Sequence, residues 1–173
     1  MQDASIQTVI DYYRARESTK PDVDLDKDGN VRENIRVINC CAYWDVNRVL
    51  SADQFNRLVT VICNESMALI KNGDRLLQGV AKEADRQLRM GWKSGRHREW
   101  IEKLIHDLEQ GASFDPILLR EKVAGEPGGG SYYLQDGNHR AIAAGIFLMR
   151  SGTMPDLRFH IGRRVDESRF FAH

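Results

Sequence analysis

Neither sign of charge is in excess in this chain: 25 lysines and arginines face 25 aspartates and glutamates across 173 residues. That balance excludes a histone-like polycation, although nucleic-acid contact needs only a local basic face. Long apolar runs are missing too. No stretch of about 18 apolar residues occurs, so no membrane span is expected. The opening MQDASIQTVIDYYRARES has no continuous apolar segment, a secretory leader is not expected there, and the expected location is the cytoplasm. Cysteine is scarce, at 3 residues, which suits a reducing compartment. Cys40, Cys41 and Cys63 form no CxxC pair and no spacing that suggests zinc, and the apolar run VINCCAYW makes Cys40 and Cys41 core residues. There is no internal repeat and no low-complexity tail.

What is present suffices for one domain. The hydrophobic fraction is 42%, enough for a core and too much for a wholly disordered chain. Ile6, Val9, Ile10 and Tyr13 recur at helical spacing. Val31 to Trp44 alternates loosely, and its Ile, Val, Cys and Tyr content predicts a strand. Ser51 and Gln54 form the pattern of a capping box, followed by a helix face at Phe55, Leu58, Val59, Ile62 and Cys63. Leu76–Met90 and Arg96–Gln110 predict two more helices, with Gly111 placed to close the second. The Pro116 run predicts a strand, and Tyr132–Leu134 its hairpin return. Asp136-Gly-Asn-His-Arg140 opens a strongly apolar helix closed by Gly152, and Leu157–Ile161 adds a last strand. The expected fold class is mixed α/β (α+β) with a small mixed sheet. Residues 1–95 are expected as a mainly helical extension packed on a core at 96–173, one compact unit overall.

The segment YYLQDGNHRAIAAGIFL carries the chemistry. A strand ends, a glycine permits a tight turn, and polar residues occupy the first turn of an apolar helix. The first N–H groups of a helix lack intrahelical partners, and its dipole adds partial positive charge there. With Gly137, Asn138, His139 and Arg140 on that turn, the pattern predicts a phosphate site. Arg140 supplies a planar fork for phosphate oxygens. His139 can donate to an oxygen or move a proton near neutral pH. Asp136 is open to three roles: metal ligand, orienter of a water, or helix cap.

The order of these pieces resembles the ParB/sulfiredoxin superfamily: a helix ending in glycine (EKLIHDLEQGAS), a Pro-Ile strand (DPILLRE), a hairpin return (SYYLQ) and a Gly-x-His-Arg turn opening a helix (DGNHRAIAA). The likeness runs from about Arg98 to Leu148, and upstream of Arg98 there is no clear counterpart. The resemblance implies a turn that binds nucleotide phosphates. Sulfiredoxins carry a reactive cysteine where this chain has Asn138, and an amide cannot perform thiol chemistry. Partition proteins continue into a helix-turn-helix domain, for which too few residues follow. The chain most resembles the plasmid fertility-inhibition proteins of the oncogenic-suppression type. That implies an ATP-binding phosphohydrolase with DNase activity, acting on DNA destined for type IV secretion, with Asp136, His139 and Arg140 catalytic. ATP is the implied cofactor, with Mg2+ at Asp136, and components of a type IV secretion system are implied partners. The alternative is a non-catalytic nucleotide- or DNA-binding module that blocks a partner protein.

Non-sequence-specific DNA contact needs cations. Between Arg75 and Lys103 stand eight basic residues against four acidic ones. Arg86, Arg89, Lys93, Arg96 and Arg98 gather around Trp92 and two glycines, a pattern for a phosphate-tracking surface. Arg158, Arg163, Arg164 and Arg169 form a weaker second group. Asp24 to Val31 resembles the front of a calcium loop, but Ile35 stands where the bidentate glutamate belongs, so an acidic turn is expected instead.

Overall fold

The computed structural model describes residues 3–20, 24–60, 69–70, 73–91 and 95–171. They form β1 (Asp3–Ala4), α1 (Ile6–Glu17), α2 (Gly29–Cys40), β2 (Cys41–Arg48), α3 (Ala52–Asn56) and α4 (Leu77–Met90). After these come α5 (Arg96–Glu109), β3 (Ile117–Glu121), β4 (Tyr132–Asp136), α6 (Asn138–Ser151), β5 (Phe159–Val165) and α7 (Glu167–Phe170). One mixed sheet runs in the order β1-β2-β5-β3-β4. β3 and β5 are parallel, and the other neighbouring pairs are antiparallel.

Local chemistry explains most element ends. Ser51 makes the expected capping box with Gln54. Gly91 and Gly152 adopt left-handed conformations at the ends of α4 and α6. At the end of α5, Gly111 has φ 79°, its N–H donates to the Leu108 carbonyl, and the Ala112 N–H reaches back to Asp107. That is a Schellman closure, possible because glycine has no Cβ to clash.

Two expectations fail locally. Val31 to Cys40 is helix, and the strand begins only at Cys41. The Asp28 carboxylate accepts from the Asn30 and Val31 N–H groups, which fixes a helix start that β-branched content cannot override. The acid of the calcium-like run is thus a cap. The helix after Ser51 stops at Asn56. Val59 instead lies along β4, its N–H donating to Tyr132 and its carbonyl accepting from Leu134. Pairing that edge satisfies backbone groups that a longer helix would leave open on β4. Ile62 and Cys63 lie outside the described residues.

The sheet is covered on both faces. Ile117, Leu119, Leu134, Phe159 and Ile161 pack with apolar residues of α4, α5 and α6. Leu118 and Trp44 face the other way, with Val9, Ile10 and Tyr13 of α1 and Val31 and Ile38 of α2. Each fully buried side chain of this size contributes roughly 1.5–3 kcal/mol. The segment before residue 95 supplies more than helices. It contributes β1, β2 beside β5, and α4 against α6. Cys40 and Cys41 are buried free thiols, as the apolar run suggests, and burial pushes the Cys41 thiol up to about 12.

Candidate functional site

A β-bulge decides where Asp136 points. Leu119 is paired with Leu134, but the next pair is Leu118 with Asp136, so Gln135 is an extra residue on β4. Strict alternation would put Asp136 on the face of Leu134. The bulge turns it to the face of Leu118, toward α1. There the Arg16 Nη2 donates to Asp136 Oδ2 at 2.7 Å. The Arg140 Nη2 donates to the same oxygen at 3.0 Å.

Gly137 follows with φ 93° and makes the strand-to-helix turn. A Cβ there would be strained by the backbone angle and would stand 2.9 Å from Arg140 Nη2 and 3.2 Å from Ile117 Cγ1, so the guanidinium would have to shift. No side chain caps α6. The Arg140 guanidinium folds back beneath the turn, donating to the Asp115 carbonyl at 2.7 Å and the Pro116 carbonyl at 3.4 Å.

The two guanidiniums are unequally compensated. Burial works against the Arg16 charge, but Asp136 and Glu17 outweigh it and raise its pKa. Burial dominates at Arg140 and lowers its pKa; attraction to Asp136 exceeds the repulsion from Arg16 but does not make up for the burial. Three buried polar atoms in this corner have no hydrogen-bond partner: Arg16 Nη1, the Tyr12 hydroxyl and Asn138 Oδ1. Tyr12 and Arg16 stand one helical turn apart on α1, and burial together with Asp115 raises the Tyr12 pKa.

His139 leaves the turn on another side. Its ring stacks on His97 of α5 with centroids 4.6 Å apart, and the Trp100 ring meets it edge-on at 5.3 Å. His139 Nε2 also contacts His97 Nδ1. His139 and Arg140, neighbours in sequence, therefore share none of these partners. The structure brings Arg140, Asp136, Gly137 and Asn138 to one corner and sends the imidazole to α5.

Beyond that corner, a second bulge places His160. Asp45 pairs with Ile161 and Arg48 with Phe159, so β2 carries one residue more than β5 between these pairs. Asn47, at φ 53°, donates its N–H to His160 Nδ1 at 3.2 Å. The His160 ring meets Tyr12 edge-on at 4.9 Å, and burial lowers its pKa.

Two expected sites do not form as read from sequence. Asp136 does not fit a Mg2+ ligand in this arrangement: its Oδ2 holds two guanidiniums. Among the described residues, no group of three His, Cys, Asp or Glu side chains is placed to hold a metal ion. The basic patch is largely paired within its own helices. Arg86 binds Glu83, Arg89 binds Asp85, and Arg98 binds Glu102. Lys93 and the Arg96 side chain lie outside the described residues. In the second group, Arg163 is drawn into pairs with Asp45 and Glu121, and Arg158 pairs with Asp156.

Arg16, Tyr12 and His160 are absent from the sequence reading. One signal for Arg16 exists: it stands three residues after Tyr13 and seven after Val9, on the stripe that α1 buries. A charge at a core-spaced position marks a buried ion pair. Comparison with known proteins finds no matching family model, no matching curated protein and no matching solved structure. No helix among the described residues is long and apolar enough to cross a membrane.

Proposed function

We propose that this chain binds nucleotide phosphates at the start of α6 and is a phosphohydrolase whose substrates are ATP and DNA. The observation that carries the reading is the α6 N-terminus. It opens at a left-handed glycine with no side-chain cap, beside two partly buried guanidiniums on one carboxylate oxygen. Unpaired N–H groups and the helix dipole favour an oxyanion there, and a guanidinium fork matches phosphoryl oxygens. In this reading Arg140 stabilises charge on the phosphoryl oxygens, while His139, packed against both His97 and Trp100, moves a proton. DNA destined for a type IV secretion channel is the proposed polymer substrate, contacted through its phosphates and so without sequence preference. No step is assigned to Mg2+ held by the protein. The resemblance to plasmid fertility-inhibition proteins supports the same reading.

A second reading, a binding module without catalysis, draws on the ties of Arg140. Asp136 and the carbonyls of Asp115 and Pro116 already hold that guanidinium. One experiment separates the two: incubation with labelled ATP and with linear DNA, with and without magnesium, beside Arg140→Lys and His139→Ala. Hydrolysis lowered at least about 100-fold in both variants, with unfolding midpoints near wild type, is expected. Binding without consumption by the wild type establishes the second reading, and full turnover in both variants removes the first.

A further inference from the structure

Resting on that reading of the α6 corner, we propose that Tyr12 and Arg16 of the N-terminal helix are ligand-contacting residues, and that they grip the terminal phosphoryl group of a nucleotide. The strand–turn–helix then forms only part of the phosphate pocket, and α1 supplies the rest.

The argument starts from what is left unpaired. The Arg16 side chain is only 10% exposed, yet its Nη1 is buried without an acceptor while Nη2 is held by Asp136 and Glu17. The Tyr12 hydroxyl, one turn earlier on α1, is also buried and unpaired. Asn138 Oδ1, in the first turn of α6, is the third such atom. Buried polar groups are costly to leave unsatisfied, and native proteins keep few of them. Here two lie one turn apart on α1, where Arg16 binds the Asp136 carboxylate, and the third belongs to Asn138, two residues after Asp136 at the start of α6.

The chemistry of the three atoms selects the ligand. Arg16 Nη1 can only donate, and the Tyr12 hydroxyl donates readily. The Asn138 amide, turned over about its last torsion, presents Nδ2 and becomes a third donor. Three such donors, on residues of α1 and of the first turn of an uncapped α6, fit an oxyanion with several acceptor oxygens, and a phosphoryl group has that form. It competes with Asp136 for both guanidiniums, and Arg140, the less compensated of the two, gains most. A neutral sugar or base offers no such set of acceptors. The atoms are shielded in the free protein, so binding requires the side chains of this corner to part.

Tyr12→Phe makes a clean test. The hydroxyl has no partner in the free protein, so its removal breaks no hydrogen bond and should leave the unfolding midpoint unchanged or raised. Arg16→Lys keeps the charge and loses the second nitrogen. Titration calorimetry on the full chain with ATP, inorganic phosphate and adenosine should show ATP affinity reduced about tenfold or more in each variant. Inorganic phosphate should weaken in parallel if it binds, and adenosine should not respond. ATP bound equally by wild type and both variants overturns the role of α1 while leaving the α6 site standing. Equal loss of adenosine affinity assigns the contact to the nucleoside and overturns the phosphoryl assignment. A wild type that binds none of the three overturns the α6 site and this inference together.

Discussion

Single residues in this protein take their roles from backbone irregularities. His160 accepts the Asn47 N–H only because the β2 bulge frees that donor from the ladder. With Nδ1 accepting, the neutral ring carries its proton on Nε2. Burial holds the His160 pKa below the ordinary value of 6.5. The unfolded chain therefore binds the proton more readily than the folded one, and stability rises with pH between the two values. The contribution is fully present above about 6.5 and is lost as pH falls through the lower, folded value. Urea midpoints compared at pH 7.5 and 5.5 should fall more for wild type than for His160→Gln. An equal fall in both would show that other groups set the acid response.

At the scale of elements, close approach governs the helical layer. A Cβ on Gly145 of α6 would lie 2.8 Å from the Ala81 Cβ of α4. Neither carbon can rotate away, because each is fixed to its backbone. Alanine would favour an α-helix by about 1 kcal/mol over glycine, whereas overpacking costs about 1–3 kcal/mol. The steric term wins. Gly145→Ala should lose about 1–2 kcal/mol by urea denaturation, and adding Ala81→Gly should restore part of it through the coupling of touching sites. Strict additivity of the two changes would mean that the helices do not meet there. Gly162 plays the same part in the sheet, where a Cβ would press within 2.9 Å of the Trp44 ring.

For the whole molecule, the sheet order ties the two halves together. β5 lies between β2 from the first half and β3 from the second. The helical layer likewise needs Leu77, Val80, Ala81 and Ala84 of α4 against α6. A fragment of residues 96–173 would bare one edge of β5 and one face of α6. It should show no cooperative urea transition by circular dichroism, while the full chain does. A cooperative transition in the fragment would make the first 95 residues a separable extension.

The parts of the fold legible in sequence are those set by neighbours along the chain. The Ser51 box, the glycines at 91, 111, 137 and 152, and the hairpin from Ile117 to Asp136 all follow from capping and turn chemistry within a few residues. The turn at Gly137 and its uncapped helix belong to that class, so the candidate site's location was readable. Its membership was not. Arg16 meets Asp136 because a bulge reverses one side chain and the second core holds α1 over that face, and His139 packs instead on His97 and Trp100 of α5. Spacing along a chain encodes local hydrogen bonding. Contacts between distant segments depend on strand order, register and packing, which only the assembled structure decides.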